Sequence, residues 1–215
     1  PQYMMTKEMM EKGELGKPVM GYIRLSDAIQ VAENWLSWAG KSGPHWFLFP
    51  HTMDLMRWII NEDPIEVYAL GSRGVLDAKG VNTWDAIQAL VKFPSCFVTF
   101  ETSWIVPDST PCVTDCHMTL YGTKGKVDYD QDYTGIEIST DRFSYPWMPV
   151  GVRNRYGKLD NYLYEPMRYF VDCVLEGKQP ECSFKDGLIN TAMIEATLRS
   201  IETGKPVSIQ ELLQE

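Results

Sequence analysis

The sequence has no long apolar segment and no concentration of basic residues. Its longest apolar stretch, Trp46 to Pro50, is far too short to cross a bilayer, and no basic segment followed by an apolar one marks the N-terminus. Lys and Arg number 20 against 29 Asp and Glu, and no basic stripe is available to neutralise phosphates. We therefore expect a soluble, cytoplasmic protein with neither a membrane nor a nucleic acid as its partner.

Cysteine is scarce and irregularly spaced. Five cysteines are an odd number, which argues against a disulfide framework and favours reduced thiols. Cys112, Cys116 and His117 are close in sequence, but the spacing C-x3-C-H is not that of a usual zinc site and no second cysteine pair follows. We therefore expect buried or strand-facing thiols and no metal site.

Nucleotide-binding motifs are also missing. The sequence contains neither a G-x-G-x-x-G after a predicted strand nor a P-loop, so we expect no cofactor-binding residues in this chain. Gly122 and Gly125 flank Thr123-Lys124 between two predicted strands, which favours a hairpin turn over a phosphate cradle. The chain begins at Pro1 without an initiator Met and with a helical pattern already under way, which indicates a piece of a longer protein.

Apolar residues are plentiful, at 44% of 215 residues, which is enough for a globular core. Six β-rich segments between residues 66 and 139 are joined by connections too short for crossover helices, which predicts antiparallel pairing. Further patterns predict a strand over 19–25 and helices over 2–12, 52–61, 161–176 and 186–202. We predict one α+β domain, residues 1–215, with an open, mainly antiparallel sheet and helices packed on one face.

His51 and Asp54 stand at a predicted helix start after an aromatic run. A neutral imidazole titrates near the pH at which an alcohol proton must leave as hydride departs, so His51 can serve as a general acid or base. The alternative is a histidine packed at a helix start, with Asp54 favoured in the first turn by the helix macrodipole.

Three tryptophans lie in or beside the long irregular connection between residues 28 and 45. Flat rings stack on the apolar faces of sugars, while a lysine and a serine there can bond hydroxyls, although aromatic residues are more often core or interface. A second lining segment is predicted just before the helix at 161–176, where a solvated loop is the alternative. The candidate substrate-binding residues are Trp35, Trp38, Lys41, Ser42, Trp46, Asp54, Arg153 and Tyr156.

Several short motifs follow one another in a specific order. They include Glu14-Leu-Gly-Lys-Pro-Val, His51-x-x-Asp54-Leu-Met-Arg-Trp, Phe97-Val-Thr-Phe-Glu-Thr-Ser-Trp104, Tyr121-Gly-Thr-Lys-Gly-Lys-Val127 and Ser200-Ile-Glu-Thr-Gly-Lys-Pro-Val207. Each motif is weak alone, but their order over nearly the whole chain resembles the C-terminal domain of the glucose-fructose oxidoreductase, inositol dehydrogenase and rhizopine-catabolism (Gfo/Idh/MocA) family.

This resemblance implies a preceding Rossmann domain that carries NAD or NADP and a catalytic lysine, with residues 1–17 as the helix and turn that follow it. The full-length parent would then be an NAD(P)-dependent oxidoreductase acting on a secondary alcohol of a sugar, cyclitol or sugar derivative, and the isolated domain would be inactive. The open sheet would supply the subunit interface of a dimer or tetramer, and the loops would cover the substrate.

One departure from the family motif D-x-G-x-H-x-x-D bears on this expectation. His51 matches the motif histidine and Asp54 its last aspartate, but the first aspartate and the glycine fall on Phe47 and Phe49. This departure leaves three alternatives. Another residue substitutes for the lost carboxylate, His51 acts with the catalytic lysine of the preceding domain alone, or dehydrogenase activity has been lost. The alternative functions are a non-catalytic ligand-sensing or assembly module on the same fold, and an NAD-dependent glycosidase or eliminase.

Overall fold

The computed structural model describes residues 2–110, 112–130, 138–139, 143–144, 153–155, 158–160 and 164–214, and side chains within 2–110, 112–130 and 164–214. The helices are α1 (Gln2–Glu11), α2 (Pro44–Phe47), α3 (Phe49–Ile60), α4 (Val75–Ala78), α5 (Tyr164–Glu176), α6 (Phe184–Thr203) and α7 (Ile209–Leu212). The strands are β1 (Pro18–Asp27), β2 (Glu66–Ser72), β3 (Ala86–Lys92), β4 (Phe97–Ser103), β5 (Thr114–Gly122), β6 (Lys126–Asp130), β7 (Ile138–Ser139), β8 (Phe143–Ser144), β9 (Arg153–Arg155), β10 (Lys158–Asp160) and β11 (Val207–Ser208).

Seven strands form one open sheet in the order β11-β2-β3-β4-β1-β5-β6. β1 lies between β4 and β5, parallel to β4 and antiparallel to β5, and the other pairings in this sheet are antiparallel. The predicted α+β class with an open, mainly antiparallel sheet is therefore confirmed. The short connections between β3 and β4 and between β5 and β6 explain those antiparallel pairs, since a parallel pair needs a longer crossover connection.

The two faces of this sheet differ in burial. Alternate residues of β1 to β5, such as Ile23, Val98 and Met118, are buried in one core cluster with residues of α3 and α6, while their neighbours face outward. α3 contributes apolar residues at helical spacing, including Met53 and Met56, and this apolar stripe is what holds it on the sheet. The predicted packing of helices on one sheet face follows from this pattern.

Backbone chemistry sets the ends of the two packed helices. α3 ends where Asn61 adopts a left-handed conformation (φ 60°), and α6 ends at Gly204 (φ 65°). α6 begins with a capping box, in which the Ser183 side chain and the Asp186 carboxylate satisfy each other's backbone N–H groups. The capping box therefore fixes the start of α6, the helix that supports the start of α3.

The sequence missed several local features. The connection over 28–45, predicted to be irregular, contains a π-helical turn at Val31–Trp35, a 3-10 turn at Ala39–Lys41 and the start of α2. The short elements α4, α7 and β11 were not predicted either. The hairpin turn is confirmed, because Gly122 N donates to the carbonyl oxygen of Gly125 at 2.8 Å. Of the strand predicted over 135–139, residues 135–137 lie outside the described residues.

Candidate functional site

One end of the sheet, where β1 and β4 finish, is covered by the chain that leads into α3. Just beyond the strands, Ala28 and Val106 form a parallel bridge. A separate hydrophobic cluster packs here around the fully buried Trp104, and it holds the π-helical turn, α2 and the residue before α3 in place. Its buried members are Ala32, Ala39, Leu48, Leu76 and Trp104, with Phe47 packed against them.

His51 lies in the first turn of α3, with its side chain exposed. The backbone beneath it is held in two ways. His51 N donates to the carbonyl oxygen of Leu48 at 3.1 Å, and Asn190 Nδ2 of α6 donates to the carbonyl oxygen of Pro50 at 2.9 Å. The imidazole is therefore accessible to a substrate while its main chain is anchored to the core.

Phe47 occupies the position of the missing motif carboxylate. Its ring is half-buried and packs against Trp38 and Trp104, with ring centroids 5.5 and 5.8 Å apart. Trp38 also approaches Trp104 at 6.4 Å. This position is therefore part of an aromatic cluster and offers no proton-carrying group.

The other predicted lining residues are only partly brought together. Trp38 joins the aromatic cluster, Trp46 lies beside the His45 ring at 6.1 Å, and Trp35 is 58% exposed on the π-helical turn. Lys41 is exposed at the end of the 3-10 turn. The carbonyl oxygen of Ser42 accepts a hydrogen bond from Thr83 Oγ1 at 2.7 Å, which fixes the following loop.

Asp54 lines a cavity with residues around the start of α6 and with none of Trp35, Trp38 and Trp46. This cavity of about 290 Å³ lies between α3 and the chain around the start of α6, and burial raises the pKa of the Asp54 carboxyl group. In the same cavity Arg57 pairs with Asp186 at 2.7 Å, and hydrogen bonds from Ser183 together with Arg57 hold the pKa of Asp186 well below its usual range. The cavity is lined by Asp54, Arg57, Trp58, Tyr169, Glu181, Cys182 and Asp186.

His45, the nearest histidine to His51 in the sequence, is a core residue. It is 5% exposed, and burial lowers its pKa to about 4. Gly43 lies so close that a Cβ there would collide with the imidazole ring of His45. His45 is therefore held neutral and packed, whereas His51 is open to solvent.

Two predicted site residues cannot be placed by their side chains. Arg153 belongs to strand β9, but its side chain lies outside the described part of the chain, and Tyr156 lies outside the described residues altogether.

Sequence reasoning missed Asp27, the last residue of β1. Its side chain is 4% exposed, and its Oδ1 accepts a hydrogen bond from Thr114 Oγ1 at 2.8 Å. Burial raises the pKa of the Asp27 carboxyl group, while Thr114, Trp104 and His51 each lower it. The available signal was a carboxylate at the end of a strand, in the same alternation phase as the buried Ile23.

Metal and nucleotide chemistry find little support in the described part of the chain. It contains no group of three or more His, Cys, Asp or Glu side chains that could hold a metal ion. Cys116 Sγ lies 3.5 Å from the hydroxyl of Tyr3, whereas His117 Nε2 contacts Asp128 Oδ1 at 2.9 Å. β2 is followed by Gly74 and a helix, but this helix, α4, has only four residues and the turn lacks the G-x-G-x-x-G pattern of a dinucleotide site.

The described helices also bear on membrane association. None of them has both the length and the apolar character needed to cross a bilayer.

The comparison with known proteins agrees with this architecture. YrbE of Bacillus subtilis, named an uncharacterized oxidoreductase, is 26% identical over 98% of this chain, and the myo-inositol 2-dehydrogenase of Thermotoga maritima is 25% identical over 96%. The chain spans 60% of the length of each of these relatives. The scyllo-inositol dehydrogenase of Lactobacillus casei, solved with NAD(H) and scyllo-inositol bound, has the same fold. It aligns at a TM-score of 0.75 and 18% identity over 97% of this chain and 62% of its own.

Membership of a family follows from the sequence match itself. Residues 7–209 match the model of the C-terminal alpha/beta domain of an oxidoreductase family. This match covers nearly the whole chain and includes α3 with His51, the seven-stranded sheet and α6. The chain belongs to the Gfo/Idh/MocA oxidoreductase family, and it is the C-terminal alpha/beta domain of that family.

Proposed function

We propose that this chain is the substrate-binding and oligomerisation domain of an NAD- or NADP-dependent oxidoreductase acting on a secondary alcohol of a sugar, cyclitol or sugar derivative. The observation that supports it best is the exposed His51, which lies on an anchored helix start beside an aromatic cluster. Relatives named as inositol dehydrogenases, and a related fold with NAD(H) and scyllo-inositol bound, support the substrate class.

The contribution of this chain to such a reaction is the handling of a proton. When a carbinol is oxidised, hydride leaves its carbon for the nicotinamide and the hydroxyl proton must also leave. In this proposal the hydroxyl O–H bond breaks and the proton is taken up by the imidazole of His51. The described residues offer no pyrophosphate site, so the cofactor would be held by a preceding domain and the isolated chain would be inactive.

The residues of the segment that leads to His51 suit a polyol. Trp38 and Trp46 are partly exposed, at 40% and 38%, so their rings offer flat apolar surfaces for the C–H faces of a sugar or cyclitol. Lys41 and Ser42, in the loop between these two tryptophans, can bond hydroxyl groups. In the proposed enzyme this loop orients the substrate over His51 and limits the access of water.

The outward sheet face supports self-association. Tyr68, Leu70, Leu90 and Phe97 expose large apolar side chains there, and several of them line a groove of about 660 Å³. Farther along the same face, Arg24 pairs with Asp115 at 2.7 Å. A contiguous apolar patch with a polar border is typical of a protein interface, and we propose a second copy of the chain as its partner, in a dimer or tetramer.

A second candidate function is non-catalytic ligand sensing or assembly on the same fold. The observation that favours it is Phe47, because the aromatic cluster has taken the place of the motif carboxylate.

An activity assay on the full-length protein separates the two functions. The protein would be supplied with NAD or NADP and a panel that includes myo-inositol, scyllo-inositol and aldoses, and nicotinamide reduction would be followed. Turnover of at least one polyol is expected. Saturable polyol binding by calorimetry without turnover of any panel member would contradict the enzyme and favour the sensor.

A further inference from the structure

We infer that Asp27 supplies the carboxylate that stabilises the charged form of His51, in place of the motif aspartate that Phe47 has replaced. The inference rests on the proposed function, because it assigns a partner to the proposed proton-handling side chain. Asp27 would be a positioning residue, since it acts on the substrate only through His51.

The location of Asp27 is the first support. As the last residue of β1, it lies on the same sheet face as Ile23, the face covered by α3. In the register of β1 with β5 it stands opposite Thr114, whose hydroxyl donates to Asp27 Oδ1 at 2.8 Å. The carboxylate is therefore buried and fixed at the end of the sheet that meets the start of α3.

The second support is the aromatic cluster. The Phe47 ring packs on Trp104, and the buried Trp104 indole is close enough to the Asp27 carboxylate to lower its pKa. Trp104 Nε1 is buried and has no partner at hydrogen-bond geometry among the described residues. The Trp104 indole thus lies between Phe47, which stands where the motif has an aspartate, and the buried Asp27 carboxylate of β1.

The third support is the charge environment. His51 acts on Asp27 electrostatically and lowers the pKa of its carboxyl group. Nearby charges have other partners: Asp108 Oδ1 accepts from the backbone N–H of Gln30, and Glu33 pairs with Lys79. Asp115, one residue along β5 from Thr114, pairs with Arg24. Among the described residues, His51 is the basic side chain that acts on Asp27 electrostatically.

This arrangement has a chemical consequence for the proposed enzyme. When a substrate proton moves to the imidazole of His51, the imidazole gains a positive charge, and a fixed carboxylate stabilises that charge. Because Asp27 is buried, its interaction with His51 is screened less by solvent than a surface pair would be. The positive charge on His51 can thus be stabilised by a carboxylate even though Phe47 stands in place of the motif aspartate.

Carboxyl titration by ¹³C NMR on this chain tests the inference without cofactor or substrate. The Asp27 carbon would be assigned by its loss in Asp27→Asn and followed against pH in the wild type and in His51→Gln. We expect the Asp27 pKa to rise in His51→Gln, because a positive charge that favours the carboxylate is removed. The matched control is His117→Gln, which removes a histidine that contacts Asp128 instead, and no shift is expected there.

Thr114→Val is the positive control for the measurement. Removing its hydroxyl should raise the Asp27 pKa, because that hydrogen bond favours the charged carboxylate. An Asp27 pKa that rises in Thr114→Val but is unchanged in His51→Gln would overturn the inference. That result would leave the proposed function standing, since turnover of the full-length protein is measured separately.

Discussion

Asn190 Nδ2 of α6 donates a hydrogen bond to the carbonyl oxygen of Pro50 at 2.9 Å, and Pro50 immediately precedes His51. The other polar atom of the same side chain, Asn190 Oδ1, is buried with no hydrogen-bond partner among the described residues. Asn190 therefore links α6 to the start of α3, which carries His51. Only the NH2 group of its side-chain amide has a hydrogen-bond partner among the described residues.

Asn190→Asp should destabilise the chain more than Asn190→Leu. The aspartate loses the donor and places a second acceptor against the Pro50 carbonyl oxygen, a loss of about 1–3 kcal/mol. The leucine also loses the hydrogen bond, but it removes the unpaired Oδ1 as well. Urea unfolding of both variants at neutral pH checks this order. If both variants were as stable as the wild type, the hydrogen bond would not anchor the helix start.

His45 should make stability depend on pH. Its pKa is lowered to about 4 in the folded chain from the ordinary 6.5, so the unfolded chain binds the additional proton between these values. Stability should therefore fall as the pH drops from 6.5 to 4, and the shift corresponds to about 3 kcal/mol. Below pH 4 this contribution has been lost and changes no further.

The measurement for His45 is urea unfolding at several pH values for the wild type and His45→Gln. Contributions from carboxyl groups, including the depressed pKa of Asp186, are common to both proteins and cancel in the difference. The difference between the two free energies of unfolding should change between pH 6.5 and 4. A constant difference across that window would show that His45 is not held neutral by burial.

His51→Ala should lower kcat of the full-length protein by about 100- to 10,000-fold, the usual contribution of a positioned acid or base. The fold should survive, because the His51 side chain is exposed. Steady-state kinetics across pH would measure the effect, with circular dichroism as the folding check. His45→Ala should cost much less in turnover per folded molecule. Near-normal turnover in His51→Ala would show that the chemistry resides elsewhere.

Leu70→Glu should weaken self-association. Leu70 is 63% exposed on the outward face of β2, where a charge would be buried in the proposed interface at considerable cost. Leu175→Glu is the matched control, because Leu175 is 78% exposed on α5, a helix whose Tyr169 lines a cavity with residues of α3. Sedimentation velocity at several concentrations compares both variants with the wild type. A wild type that stays monomeric throughout, or dissociation caused equally by both changes, would rule out this interface.

Periodicity was the most informative part of the sequence. The alternation in segments such as Phe97–Ser103 and the helical spacing of Met53 and Met56 reflect local geometry, so strands and helices could be predicted within a few residues. The place of β1 between β4 and β5 could not be predicted, because no local pattern encodes which distant strands pair. His51 was predicted as a site residue from its helix-start position and the motif it matches, and this stays a prediction.

Asp27 was missed for the same reason that the place of β1 in the sheet could not be predicted. Asp27 is buried by segments that are far away in the sequence, and its neighbours Thr114 and Trp104 belong to such segments. A lone aspartate at the end of a strand looks like a turn residue when it is read locally. The relation between Asp27 and His51 becomes visible only after the sheet order is known.

The central place of β1 also constrains the order in which this chain can fold. Met20 pairs with Phe97 on one side and with Tyr121 on the other, so neither edge of β1 has a partner nearby in sequence. During synthesis β1 must therefore wait until about half of the chain has emerged, and both pairings close long loops at an entropic cost. We therefore expect slow folding. The strands β2-β3-β4 and β5-β6 form two parts of the sheet, and β1, which is synthesised before both, has to join them.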